Sequence, residues 1–175
     1  LAVSNKERVK PQVHNMLRQG QFSQLNHTLD QYQRDSMSNI SLEERLYLAY
    51  SVFDSSEPGY EQLLENWIST APQSYQGYLA RALYNYRRGW DARGGAWASE
   101  TKQSQMHKMH SYFDLAKKDI DKAIKLNSKS TVPYNLRISI YMTTGMDIKA
   151  SDTLKRALKI SPASYEVRKT YLHSL

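Results

Sequence analysis

Three side chains with metal-ligating chemistry fall on one helical face near the middle of the 175-residue chain. They are His107, His110 and Asp114, at i, i+3 and i+7. Imidazole and carboxylate in that register can hold zinc or another divalent ion. The run lacks a glutamate placed like that of His-Glu-x-x-His, and it points away from the apolar stripe of Met109, Phe113 and Ala116. It is therefore expected on solvent, and no metal or other cofactor is expected. A catalytic role for Arg93, Glu100 and His107, within residues 90–110, is the chemistry a cryptic enzyme would use. No Gly-x-Ser-x-Gly, phosphate loop or dinucleotide fingerprint accompanies them. Zero cysteines exclude disulfides, thiolate metal sites and cysteine nucleophiles.

Arg81, Arg87, Arg88 and Arg93 could gather near an inner surface, where arginine beside tyrosine can stack bases and contact phosphate. Most of the 13 tyrosines, however, sit on apolar stripes, where core packing accounts for them. The net charge of +7 is uneven: residues 1–100 carry 10 Lys/Arg and 11 Asp/Glu, and residues 101–175 carry 14 and 6. A basic half can attract nucleic acid, an anionic surface or an acidic protein, or simply form a solvated lysine-rich face.

The most unusual stretch is Trp90-Asp91-Ala92-Arg93-Gly94-Gly95-Ala96-Trp97-Ala98-Ser99-Glu100-Thr101. Two indoles beside backbone opened by Gly94 and Gly95, with Arg93 and Glu100 at hand, suit recognition of a protein or peptide. The packing alternative has Trp90 and Trp97 plugging a gap, Arg93 pairing with Glu100 or capping helix carbonyls, and Ser99 capping the next helix.

Regular helices must position this stretch. Apolar residues at helical spacing predict a first helix beginning near Ser4, or nearer Lys10 because of Pro11, and a second carrying Phe22, Leu25, Leu29 and Tyr32. Ser41-Leu42-Glu43-Glu44 reads as a capping box opening a third helix. Tyr60, Leu64 and Trp67 mark the fourth. Ser74 is placed to cap a fifth helix running to about Trp90, and a sixth resumes around Ser104. Thr131 and Pro133 open a seventh. A partner follows after Gly145, and a last helix from Ser164 carries Tyr165, Val167, Tyr171 and Leu172.

The helix pairs share a period of 34 residues, the length of a tetratricopeptide unit. In residues 131–164, Tyr134, Tyr141, Ala150, Leu154, Ala157 and Pro162 occupy the expected aromatic, small, large and proline slots. Trp67 falls in a slot that is normally small. The unit from Tyr75, with Tyr78 and Ala82 in place, reaches Ser130 in 56 residues, which is 34 plus 22. The surplus lies at about residues 88–109. The expected fold is all-α: a single domain over residues 1–175, built as a tetratricopeptide-like right-handed solenoid with one insertion inside a repeat. The concave face of such a stack is its usual binding surface.

The residues Trp67-x4-Pro72-x-Ser74-Tyr75, Tyr78-Leu79-Ala80-Arg81-Ala82 and Arg93-Gly94-Gly95-x-Trp97-Ala98-Ser99-Glu100-Thr101 carry a resemblance. So do Met109, Phe113, Ala116, Asp119 and the run Ala123-Ile124-Lys125-Leu126. On them the chain resembles a bacterial family designated a domain of unknown function, over roughly residues 16 to 162. The resemblance implies an all-helical, repeat-like fold and no established activity or cofactor. It makes Tyr78, Arg81, Trp90, Arg93, Gly94, Gly95, Trp97 and Glu100 signature residues for partner binding or structure. The leading expectation is an interaction module holding a protein or peptide on its concave face. An immunity protein neutralising a toxin, a basic nucleic-acid or anionic-surface binder and a cryptic enzyme are the alternatives. No apolar run reaches the ~20 residues of a membrane span. The chain opens on Leu1, compatible with a removed targeting segment, and the compartment is left open between bacterial cytoplasm and periplasm.

Overall fold

The computed structural model describes residues 5–173, and among them every regular element is helical. The helices are α1 (Asn5–Arg18), α2 (Phe22–Ser38), α3 (Glu43–Ser51), α4 (Tyr60–Thr70) and α5 (Tyr75–Arg93). Then come α6 (Gln103–Leu126), α7 (Val132–Thr143), α8 (Asp147–Ile160) and α9 (Tyr165–His173). No described helix is long and apolar enough to cross a membrane. The expected cap at Ser4 lies outside the described residues. Pro11 sits inside α1 rather than delaying its start to Lys10.

α5 packs along α6 and α7 along α8, and the helices share three apolar cores. The first spans α1 to α5 around Trp67, which is fully buried. Its indole stacks on Phe22 at 6.1 Å and donates Nε1–H to Asn26 Oδ1 at 2.9 Å. A tryptophan fits there because α5 faces it with Gly77, where a Cβ would stand 3.1 Å from Ile68 Cγ1 and 3.5 Å from the indole. The second core joins α5, α6 and α7 through Phe113, Ile120, Leu136 and Ile140. The third holds Ile138, Ala150, Ala157 and Val167 between α7, α8 and α9. Tyr165 and Leu172, expected on the last apolar stripe, are exposed instead, and Val167 alone is the deep anchor of α9.

Several serines and threonines expected to cap helices serve other partners. The Ser74 hydroxyl accepts from Asn26 Nδ2, and that of Thr131 meets the Tyr47 hydroxyl at 2.9 Å. Neither closes its own helix. The predicted Ser41–Glu44 box does not form. Asn39 Oδ1 instead accepts from the Ser41 amide and hydroxyl, in the tight turn before α3. Glu43 reaches the far end of the chain, where its buried carboxylate accepts from the Ser164 hydroxyl and from the amides of Tyr165 (2.9 Å) and Glu166 (3.2 Å). It thus caps α9 from 122 residues away and fastens the last helix to the third.

Tyrosine burial makes the fold sensitive to alkali. Loss of solvent pushes Tyr60 up to about 12 and lifts Tyr47, Tyr50 and Tyr75 further, whereas unfolded tyrosine titrates near ~10. A raised folded pKa stabilises the fold fully below the unfolded value, and that contribution is lost as pH rises through the window above ~10. Tyrosinate absorbance is therefore expected in two stages, with the second coincident with loss of helical circular dichroism. Ionisation of all 13 tyrosines with helicity intact would contradict this burial.

Candidate site: the projecting α5–α6 hairpin

Residues 88–109, where the sequence period places its surplus, are helical over Arg88–Arg93 and Gln103–Met109. α5 has 19 residues and α6 has 24, against 11 in α4 and 12 in α7. At 1.5 Å per residue these are about 28 and about 36 Å long, against about 16 and about 18 Å. The lower ends of α5 and α6 meet their neighbours through short connections, so the excess length extends at the upper end, near residues 94–102.

Close approach holds the arm together. Gly89 lies against α6, where a Cβ would come within 2.6 Å of Phe113 Cε1 and 3.2 Å of the Met109 carbonyl. Phe113 stacks on Tyr86 at 5.3 Å, and Trp90 meets it edge-on at 6.3 Å. Trp90 therefore packs as expected of a plug. Trp97 does not: it is 81% exposed, among the most exposed large apolar side chains described. Of the two indoles, seven residues apart, Trp90 lies within α5 and Trp97 beyond its last residue.

The tip is ordered by polar contacts. Gly94 ends α5 at φ +76°, a left-handed conformation that suits glycine. Arg93 donates to the carbonyls of Gly94 and Ala96, both at 3.1 Å, and its guanidinium lies 5.7 Å from the Trp90 ring. Both acceptors lie past the last residue of α5, so Arg93 holds loop carbonyls rather than helix carbonyls, and Glu100 is exposed in a short turn over Ala98–Glu100. Ser99 sits in that same turn and does not cap α6. Gln105 provides the tie instead: its Nε2 donates to the Arg93 carbonyl and its Oε1 accepts from the Lys102 amide, at 3.1 and 3.0 Å. Gly95 has open space around it.

The four arginines of α5 disperse rather than gather. Arg81 forks onto Asp119 with two 2.8 Å bonds and reaches Glu65 with a third, so one guanidinium joins α4, α5 and α6. These partners raise its pKa above the ordinary arginine value, Asp119 most of all. Tyr78, on the same helix, donates its hydroxyl to the Pro72 carbonyl at 3.0 Å and lies beside Lys122. Arg87 turns the other way to Asp54 at 2.8 Å, and Asp91 accepts from Ser56, so the 54–56 stretch buttresses the arm. Arg88 points between the two long helices, donating to the hydroxyls of Tyr84 (2.8 Å) and Tyr112 (3.0 Å).

Around Arg88 opens a cavity of about 530 Å³, bordered by Ala92 and Asp91 on α5 and by Ser104, Lys108, Tyr112 and Leu115 on α6. Arg88 is the one member of the predicted arginine group on this cavity; Lys108, Tyr112 and Leu115 are not among the predicted site residues. Their spacing with Ser104, at i, i+4, i+8 and i+11 along the polar side of α6, was the available signal. His107, His110 and Asp114 are exposed on α6, and Asp114 pairs with Lys117 at 2.7 Å. Among the described residues no set of three His, Asp or Glu side chains converges as a metal site. Arg93, Glu100 and His107 do not form a joined catalytic group: Arg93 is spent on loop carbonyls while the other two face solvent.

No curated protein and no solved structure matches the chain. Residues 10–146, from α1 through the turn after α7, match the family described as Domain of unknown function (DUF4034), and the chain, with its long α5–α6 hairpin inside that match, belongs to this family.

Proposed function

We propose that the chain is a protein–protein interaction module: a tetratricopeptide-like, right-handed stack of helical hairpins that presents the α5–α6 arm to a partner protein. The observation carrying this reading is Trp97, 81% exposed at the end of the longest hairpin. An indole left in water has a large apolar area to lose on contact. The Trp97 carbonyl accepts from the Thr101 hydroxyl and the Glu100 amide, and Arg93 holds the neighbouring Ala96 carbonyl, so little ordering cost opposes binding. The inner surface between α3, α5 and α7 supports a smaller role. It encloses only about 180 Å³ and is partly occupied by Tyr47, Tyr86 and Asn135. The contact surface is thus the arm that rims the stack more than the concave face itself.

The test is a pull-down from a lysate of the source cell with wild type and Trp97→Ala side by side. An exposed residue of this kind should leave stability within about 0.5 kcal/mol of wild type. The expected result is a protein retained by wild type and lost by the variant. Equal recovery of every bound protein by the two would refute the reading.

A further inference from the structure

The cavity beside Arg88 holds an unspent charge. Of the α5 arginines, Arg81 and Arg87 each have carboxylate partners, and Arg93 is engaged by loop carbonyls. Among the described residues, Arg88 has two phenol hydroxyls as its hydrogen-bond partners, with the Tyr84 and Tyr112 rings 5.6 and 5.2 Å from its guanidinium carbon. Those contacts fix the fork in place and leave its charge unneutralised. A guanidinium carries five N–H groups, and two are used here, so Nε–H and further Nη–H groups remain for a planar, two-oxygen acceptor. The single carboxylate on the cavity wall, Asp91, is engaged by the Ser56 hydroxyl from the neighbouring loop.

The surroundings narrow the occupant. Lys108 adds a second cation on the wall and Ser104 a hydroxyl, while Leu115, 46% exposed, supplies an apolar strip. Residues 88–118 carry six Lys/Arg against three Asp/Glu, so the field over the opening favours an anion. The volume lies within the ~300–1,000 Å³ of small-ligand sites and suits a few residues of chain. A bare phosphate would leave the leucine strip uncovered, whereas a peptide with a carboxylate next to an apolar side chain covers both.

We propose that the α5–α6 cavity receives an acidic segment of the partner protein, with a Glu or Asp carboxylate forked on Arg88, steadied by Lys108, and an adjacent apolar side chain on Leu115. This rests on the interaction reading above and gives the partner a chemistry.

The probe is a short fluorescein-labelled peptide of Glu-Glu-Leu repeats, with a Gln-Gln-Leu peptide as its neutral counterpart, followed by anisotropy against the full chain. Saturable binding is expected for the acidic peptide, at least about tenfold weaker for the neutral one. Arg88→Gln should weaken the acidic peptide at least about tenfold, and so should the wall variant Lys108→Glu, which disturbs no hydrogen bond to the tyrosines. Lys155→Glu, on the distant and exposed α8, serves as the control for unspecific attraction to a basic surface and should change little. No saturable binding of the acidic peptide overturns the proposal. So does a loss no larger for Arg88→Gln and Lys108→Glu than for Lys155→Glu, or displacement of the peptide by inorganic phosphate at equal concentration. A partner whose retention depends on Trp97 and survives Arg88→Gln would uphold the interaction reading while removing the acidic segment from this cavity.

Discussion

Gly89→Ala should destabilise the chain by about 1–3 kcal/mol, even though alanine is the better helix former by ~1 kcal/mol. The sign is set by space. The added methyl would stand 2.6 and 2.8 Å from two carbons of the Phe113 ring and 3.2 Å from the Met109 carbonyl. The ring has nowhere easy to go: Tyr86 is stacked on it and Trp90 abuts its edge. Relief requires α5 and α6 to separate along the interface that holds the arm. Thermal melting reads the loss, and hydrogen exchange should locate it in residues 86–113. A second substitution separates crowding from any other effect. Combining Gly89→Ala with Phe113→Leu removes ring atoms from the collision, so the pair should be less destabilising than the sum of the single changes. Strict additivity, or a stabilised Gly89→Ala, would show that the helices are not in contact there.

Glu43→Ala should cost about 2–4 kcal/mol and release α9. One carboxylate serves the Ser164 hydroxyl and two amides at the start of that helix, in a buried setting where water does not readily replace it. The helix N-terminus also loses a favourable negative charge. α9 is short, and Val167 is its one fully buried apolar anchor, so little else holds it. Exchange protection of the Tyr165 and Glu166 amides should collapse in the variant while α4 remains protected. Glu43→Gln keeps one acceptor oxygen and should fall between the two. An α9 protected equally in all three proteins would refute the cross-chain cap.

These two positions show what the sequence could and could not convey. Apolar residues recurring at helical spacing located all the helices, since burial of one face is written into composition at short range. Serine and threonine before an apolar run did not reveal whom they would serve. Ser74, Thr131 and Ser41 lie where caps are common, yet their hydroxyls bond Asn26, Tyr47 and Asn39. Glu43, inside the stretch read as a box between Ser41 and Glu44, instead closes a helix more than a hundred residues later. Tertiary partners of this kind have no signature in local spacing. The same limit divides the Trp90–Trp97 pair. Both are indoles beside glycine, but Trp90 lies in the last turn of α5 facing Phe113 and Trp97 stands past the Gly94 turn, in water. The 34-residue period placed its surplus at residues that the two longest helices, α5 and α6, share between them. That the surplus would lengthen two helices, rather than form a loop, depends on the Gly89–Phe113 contact and the Gln105 tie, which only the packed pair displays.

The interaction surface can be read directly by hydrogen–deuterium exchange on the wild-type chain, alone and with the protein that Trp97 is expected to retain. Protection on binding should fall on residues 94–102 and on the Arg88, Lys108 and Leu115 side of α5 and α6, with little change at the inner-face residues Tyr47, Asn135 and Ser139. Protection confined to that inner face, or a bound complex that leaves residues 94–102 exchanging as in the free chain, would contradict a contact surface on the projecting arm.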